Sequence, residues 1–258
     1  MNKFTDYFSP EKGIIKEKFN SIPYMDVCIS SIIEGYIYKK VSLIDREGNG
    51  EVYTERYGNI EGECKAWYPD GKVWFISYYK GGKLEGEAKE WHRNGQLKSQ
   101  AYYKEGKREG EAKKWHINGQ LIVQSTYKDG KFDGEAKGWF VTGQLYTLCY
   151  YKEGKEEGKK NNWYVNGQLR LEEHYKEGKL EGEAKTWYDD GKIRFQGSYK
   201  DNKEVGEHLR WYNNGNPGEN QIFIRDGDIQ SEIIRWNETG EMSSYNQIKK
   251  NGEVINLM

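Results

Sequence analysis

The sequence is short of the residues and patterns that mark several common protein classes. Of its 258 residues only four are proline and three are cysteine, and the net charge at pH 7 is −1. Cys28, Cys64 and Cys149 form no Cys-x-x-Cys pair, so we expect neither a disulfide framework nor a zinc site, and we predict reduced thiols. A chain with balanced charge has no overall field that would attract DNA, RNA or anionic lipid.

Long apolar segments are missing too. The most apolar stretch, 25–33, contains Asp26, Ser30 and Ser31 and is too short to span a bilayer. The first residues lack the apolar segment of a secretory signal. We therefore expect no integral membrane contact and a cytoplasmic location. Hydrophobic residues make up 35% of the chain and charged residues 31%, which makes a thick core hard to fill.

Aromatic residues and glycine are abundant instead. Aromatics make up 15% of the chain and there are 31 glycines, a composition typical of short strands joined by tight turns. Three columns of residues recur with a period of 24 and without a single insertion, which predicts an array of stacked, equivalent units. The columns are Gly62, Gly86, Gly110, Gly134, Gly158, Gly182 and Gly206; Trp67, Trp91, Trp115, Trp139, Trp163, Trp187 and Trp211; and Gly71, Gly95, Gly119, Gly143, Gly167, Gly191 and Gly215.

The repeat becomes irregular at both ends. A degenerate copy around Trp236 and Gly240 runs to the C-terminus, and another degenerate copy begins near Gly35. We therefore predict an N-terminal cap over residues 1–34 and an array of about eight to nine copies over residues 35–258. Within the cap, Ser9-Pro10 is a helix-start pattern, so the cap is expected to contain a short helix that covers the first open sheet edge.

Each copy predicts a β-hairpin, and the copy that starts at Gly86 illustrates it. A two-residue turn would pair Trp91 with Lys98, whereas a three-residue loop with Gly95 in the left-handed region would pair Trp91 with Leu97. We favour the three-residue loop, because it gathers the apolar residues of the hairpin on one face. In this register Ala88 points away from that face unless the first strand is kinked. The apolar face is predicted to carry Trp91, Leu97, Ala101 and Tyr103.

The repeat unit resembles MORN repeats, in the variant form found in bacteria. The segment from Tyr103 to Leu121 reads Tyr-Lys-Glu-Gly-Lys-x-x-Gly-Glu-Ala-Lys-x-Trp-x-x-Asn-Gly-Gln-Leu. The resemblance covers roughly residues 35–258. It implies an all-β fold, an elongated single-layer twisted sheet of antiparallel hairpins, and no catalytic motif. Bacterial proteins of this type are commonly labelled antitoxins of toxin–antitoxin pairs, and some are linked with roles at the cell surface or in host contact.

We predict a monomeric protein–protein interaction scaffold, specifically an antitoxin or immunity partner of a toxin, that is not an enzyme and needs no cofactor or metal. The alternatives are a cell-surface or host-contact repeat protein and a ligand-binding solenoid whose aromatic residues hold cations. Tyrosine and tryptophan are good anchors for a protein partner. The residues predicted to bind the partner are Trp91, Trp115, Trp139, Trp163, Tyr103, Tyr127, Tyr151 and Tyr175.

Other candidate residues have structural explanations. The tryptophan column could be an exposed stripe or sheet core, and core is favoured because aromatics on a half-buried sheet stabilise it. His92 and His116 occupy a position that other copies fill with Tyr or Phe, which favours a flat ring over a metal ligand. A glutamate column two residues before a lysine column indicates solvated or cross-strand charge pairs. The Lys-x-Gly-Lys turns form a modest basic seam along one edge.

Overall fold

A computed structural model describes residues 29–33, 36–44, 48–56, 59–224 and 229–257. Most of the predicted cap, including the helix expected after Ser9, lies outside the described residues. The last part of that segment, Ile29–Ile33, is a strand that pairs antiparallel with Tyr36–Ile44. In the described ranges every regular element is a β-strand, and 23 strands are present.

The chain divides into two units. The first comprises residues up to Lys98 together with Tyr103–Gly106, and the second comprises Ser99–Tyr102 together with the chain from Lys107 onward. The strands of the first unit are β1 Ile29–Ile33, β2 Tyr36–Ile44, β3 Gly50–Arg56, β4 Asn59–Trp67, β5 Val73–Lys80, β6 Lys83–Leu84 and β7 Gly86–Trp91. Strand β8, Leu97–Lys104, has residues in both units.

The second unit contains the longer run of strands. They are β9 Lys107–Trp115, β10 Leu121–Lys128, β11 Lys131–Trp139, β12 Leu145–Lys152, β13 Lys155–Glu156, β14 Gly158–Trp163, β15 Leu169–Lys176, β16 Lys179–Leu180, β17 Gly182–Trp187, β18 Ile193–Lys200, β19 Lys203–Trp211, β20 Pro217–Phe223, β21 Ile229–Trp236, β22 Met242–Lys249 and β23 Val254–Asn256. Neighbouring strands within each unit pair antiparallel. Each two-residue strand pairs with the same preceding strand as the strand that follows it. The predicted all-β class, an open antiparallel sheet of repeated hairpins, is confirmed.

The hairpin loop after each tryptophan is the predicted three-residue loop. The amide of Phe140 donates to the carbonyl of Gln144, and the amide of Gly143 donates to the carbonyl of Phe140, both at 2.8 Å. Gly143 has a φ of +90°, in the left-handed region that glycine adopts without strain. Trp139 therefore pairs with Leu145, and Trp115 with Leu121. The preference for a three-residue loop is confirmed.

A β-bulge directly after that pair changes which residues share a face. Trp139 pairs with Leu145, but its neighbour Gly138 pairs with Thr147, which leaves Tyr146 as an extra residue in the second strand. Because side chains alternate along a strand, the tryptophan lies on the face opposite Gly138 and Thr147. The predicted common face holds for the first residue of the second strand, since Leu145 is paired with Trp139, but it is wrong for the residues beyond the bulge, which lie on the opposite face. The bulge in the second strand also places the alanine column on the buried face, so no kink is needed in the first strand.

The face opposite the tryptophans, which we call the alanine face, holds the most buried residues. Ala112 and Ala136 are 2% and 0% exposed, and Ser125 is fully buried. The ring of Phe132 packs between Tyr127 and Tyr151 with centroids 4.6 Å and 5.0 Å apart. Small residues in the strands thus let aromatic rings from successive copies close over them, so the array is stabilised by contacts between neighbouring copies.

Candidate protein-binding surfaces

The eight residues predicted to bind a partner do not form one surface. The tryptophans lie on the tryptophan face, defined by the Trp column with the Lys column two residues before it and the Glu column four residues before it. Each of the four is half-buried. Tyr127 and Tyr151 lie on the alanine face and are only 5% and 4% exposed. Tyr103 and Tyr175 are half-buried. The binding role of all eight residues stays a prediction, but the tryptophans and the buried tyrosines lie on opposite faces of the sheet.

Tyr175 contacts a cluster of polar side chains that replaces small residues on the alanine face. Lys160 occupies the alanine position, and its Nζ lies 3.0 Å from Glu156 Oε1 and 5.3 Å from the Tyr175 ring centroid. The Tyr175 hydroxyl donates to Glu173 at 2.9 Å. Burial, followed by the negative charge of Glu173, raises the pKa of Tyr175 well above its usual range. These contacts tie the ring to the sheet, so its geometry is explained without a partner.

Charge on the tryptophan face is paired within the sheet. Lysine and glutamate two residues apart form ion pairs, at 2.7 Å for Glu87–Lys89 and 2.8 Å for Glu183–Lys185. Glu183 also accepts a hydrogen bond from Gln196 on the adjacent strand at 2.7 Å. The two columns do form charge pairs, but each pair joins residues of the same strand rather than of facing strands. Such pairs are exposed and add little stability each, and they leave the face close to neutral.

The aromatic position after each tryptophan links one copy to the next. The hydroxyls of Tyr164 and Tyr188 donate to the backbone carbonyls of the tryptophans one copy later, Trp187 and Trp211, both at 2.7 Å. Tyr68 makes the same contact with Trp91 at 2.8 Å. This contact explains tyrosine at the position, whereas His92, His116 and Phe140 have a ring there but no hydroxyl to make it. In the part of the chain that the structure describes, no group of three or more His, Cys, Asp or Glu side chains could hold a metal ion.

The opposite edge of the sheet carries the two-residue turns with the lysine seam. Asp129 and Gly130 have φ values of +51° and +80°, as a type I′ turn requires. The Asp129 amide donates to the Glu109 carboxylate of the preceding copy at 3.0 Å. The Asp129 carboxylate lies 3.9 Å from Lys107 of the preceding copy. The basic seam predicted from the Lys-x-Gly-Lys turns is balanced by acidic groups at the same edge.

A row of exposed aliphatic side chains lies along the edge formed by the three-residue loops. Ile117, Val141 and Val165 are the first loop residues of three successive copies and are 51%, 51% and 55% exposed. We call these three residues the apolar edge. Successive members are separated by two strands, or about 10 Å. The apolar edge was not predicted from the sequence. A signal was available, because the other copies carry proline or a polar residue at this position: Pro69, Arg93, Asp189, Asn213 and Glu238.

The cysteines that the structure describes are free thiols enclosed by the alanine face. Cys64 and Cys149 are 0% and 1% exposed, whereas Cys28 lies outside the described residues. Burial raises the pKa of Cys149 to about 11. Burial and the neighbouring Glu51 carboxyl raise that of Cys64 further. The Cys64 thiol donates to Glu51 Oε1 at 3.2 Å. Protonated, enclosed thiols are poor nucleophiles and metal ligands.

Comparison with known proteins supports the repeat class. A model of the MORN repeat variant matches four segments of the chain, residues 60–80, 84–105, 108–129 and 180–201. The resemblance seen in the sequence is confirmed for these four copies, while the antitoxin label has no support beyond that resemblance. No curated protein matches the chain. The described residues include no helix long and apolar enough to cross a membrane.

Proposed function

We propose that this protein is a non-catalytic scaffold that binds another protein through the apolar edge. The observation that carries the proposal is the exposure of Ile117, Val141 and Val165 on three successive copies. Turn residues normally face water, and the equivalent loops of other copies have the same backbone with polar residues such as Asp189 and Asn213. The fold does not require aliphatic side chains there, and exposed apolar rows mark contact surfaces.

The rest of the molecule favours a protein partner over a nucleic acid. The lysines at the opposite edge have acidic neighbours, as the contacts of Lys107 with Asp129 at 3.9 Å and of Lys179 with Asp201 at 2.9 Å illustrate. Binding to a phosphate backbone depends on cations that are free to replace its counterions. The apolar edge, in contrast, offers three anchors flanked by polar loop residues, the arrangement of a protein interface with an apolar centre and a polar rim.

The narrower form of the proposal is that the partner is a toxin and that this protein is its antitoxin. It is supported by the resemblance to bacterial MORN-variant proteins with that label. It requires a partner whose activity is suppressed by a complex with this chain. Co-expression with the product of the adjacent gene tests it, because growth arrest by that product alone and rescue by this chain are both expected.

The binding surface is tested by a triple variant, Ile117→Ser, Val141→Ser and Val165→Ser, used as bait in affinity capture from the source organism. The side chains are exposed and in loops, so the variant should melt like the parent while losing the specific partner. The matched control, Ile117→Val, Val141→Ile and Val165→Ile, keeps the row aliphatic and should retain that partner. An unchanged set of captured proteins with the serine variant contradicts the proposed surface.

A further inference from the structure

A groove in the second unit collects arginine and aromatic side chains. Its volume is about 810 Å³, within the range of ligand-binding clefts, and it is open to solvent. Strands from β17 to β22 supply its walls. The residues that matter for its chemistry are Tyr188, Arg194, Phe195, Arg210, Glu219 and Arg235.

The groove is positive although the whole chain is not. Glu219 is the acidic residue in its lining and forms ion pairs with both Arg210 and Arg235, the latter at 2.8 Å. One carboxylate cannot neutralise two guanidinium groups. Arg194 lies over the Tyr188 ring, 5.8 Å from its centroid. Three arginines against one glutamate leave a local charge of +2, in a chain with a net charge of −1.

The repeat shows that these charged residues are not needed for the hairpins. Arg210 occupies the position of Ala66 and Gly138, directly before the tryptophan, and it pairs with Glu219. Glu219 in turn stands where other copies have Phe195 or Val123. The copy in which Ala66 pairs with Phe75 is apolar at both positions and forms the same paired strands. The hairpin therefore forms without these charged residues, and their presence makes this part of the sheet a charged surface.

The bulge of the next copy widens the groove. The bulged residue of β18 is Arg194, and the equivalent residue in β20 is Gly218, one residue after Pro217. A Cβ atom at Gly218 would lie 3.3 Å from the Tyr212 ring. Without a side chain at this position, the ring of Tyr212 stays accessible beside Arg210. The groove thus offers guanidinium groups and aromatic surface side by side.

We propose that this groove binds an acidic peptide segment of a partner protein. The inference rests on the proposed scaffold function and names a second contact on it. Guanidinium groups bind carboxylates with paired, charge-assisted hydrogen bonds, so Arg194 and Arg235 receive glutamate or aspartate side chains of the segment. An aromatic or aliphatic side chain of the segment packs on Tyr188, Phe195 and Tyr212. Because the groove is open to solvent and lined by residues of several adjacent strands, an extended chain can enter it.

The test uses a fluorescein-labelled peptide of alternating glutamate and phenylalanine and the full-length protein. A peptide with glutamine in place of glutamate reports the charge requirement, and inorganic phosphate is added as a competitor. The Arg194→Gln variant should bind the acidic peptide about tenfold more weakly, the loss expected for one charge-assisted contact. Glu219→Gln should bind it more tightly, because the groove becomes more positive.

Arg170→Gln is the matched control. Arg170 occupies the same bulged position one copy earlier and lies over Tyr164 at 5.9 Å, but it is not part of the groove. Its loss should leave peptide binding unchanged. Equal binding of the glutamine peptide, equal losses at Arg170 and Arg194, or displacement of the acidic peptide by phosphate at low concentration would each overturn the assignment.

The same peptide separates this inference from the scaffold proposal. If peptide binding fails while the apolar edge still captures a partner, the groove assignment is wrong and the scaffold proposal stands. If the peptide binds as expected and no partner depends on the apolar edge, the groove assignment stands and the edge is not the contact surface.

Discussion

A carboxyl group buried beside a thiol should make the first unit sensitive to pH. Glu51 in β3 is 2% exposed and pairs with Ala66 of β4, and its Oε1 accepts from Cys64. Burial raises the pKa of Glu51 from 4.5 to about 7, against a smaller lowering by the Cys64 hydrogen bond. The folded protein therefore holds a proton on Glu51 at a pH where the unfolded chain has released it.

The sign and size of the effect follow from this difference. Between pH 4.5 and about 7 Glu51 binds more protons in the folded state than in the unfolded state, so the contribution of Glu51 to stability is greatest below 4.5 and declines as the pH rises through the folded pKa. A shift from 4.5 to about 7 corresponds to about 3 kcal/mol, or on the order of a few hundred-fold in the equilibrium for opening. Above pH 7 the penalty stays constant.

The two buried cysteines allow a local measurement. In a Cys28→Ser background, labelling by a dithiodipyridine reagent, followed by mass spectrometry, reports opening around Cys64 and Cys149 separately. Cys149 is equally buried, and its thiol sulfur lies 3.8 Å from the Ala136 carbonyl oxygen. The labelling rate of Cys64 divided by that of Cys149 should rise steeply between pH 4.5 and 7.

Two variants decide whether Glu51 is the cause. Glu51→Gln removes the titrating group, so the ratio of labelling rates should become independent of pH. Glu63→Gln changes an exposed carboxylate on the opposite face of β4 and should behave like the parent. A pH-independent ratio in the parent, or a pH dependence that survives in Glu51→Gln, would refute the account of a buried, protonated carboxyl.

Three further predictions concern the repeat itself. Trp139→Ala should lower the free energy of unfolding by about 3 kcal/mol, and Trp236→Ala by less, because its partner Met242 is already 46% exposed; denaturant titration compares them. Gly119→Val should cost about 2 kcal/mol at a φ of +87°, and Gly119→Asn much less, as thermal melting would show. Glu109→Ala should speed hydrogen exchange at the Asp129 amide about fivefold, and an unchanged rate would contradict the turn contact seen here.

The hairpins and their loops could be predicted because the information is local. The loop that ends in Gly143 depends on one residue that tolerates a positive φ, and such a residue recurs in every copy. The pairing of Trp139 with Leu145 follows from loop length alone. The sequence also identified the ring at the position of Tyr164, although its hydrogen bond to the following copy could not be foreseen.

The face of the tryptophan could not be derived from periodicity. The bulge at Tyr146 inserts one residue into the second strand, and one extra residue exchanges the two faces of everything beyond it. Alternation in the sequence looked continuous, because Leu145 and Thr147 both fit a half-buried strand. One signal was available: the predicted register pointed the alanine column away from the apolar face. A bulge in the second strand removes this conflict.

The groove that contains Arg194, Arg210 and Arg235 could not be predicted from the sequence for a different reason. Arg194, Arg210 and Arg235 belong to different copies, and each is unremarkable in its own strand. Only the stacking of hairpins brings them to one face beside Glu219. Contacts between copies are set by the sheet, so a search within one copy does not find them.

A repeat array supplies its own control for separating structure from function. Residues that recur at one position, such as the glycine of the three-residue loop, are explained by the backbone that each copy needs. Residues that depart from the pattern while the backbone stays the same are not explained in that way. Ile117 and Val165 at the apolar edge and Glu219 in the groove are of this second kind. The predicted anchors Tyr127 and Tyr151 are of the first kind, since their buried rings stack between copies. Departure from the repeat, rather than regularity, is therefore the better guide to where this protein meets a partner.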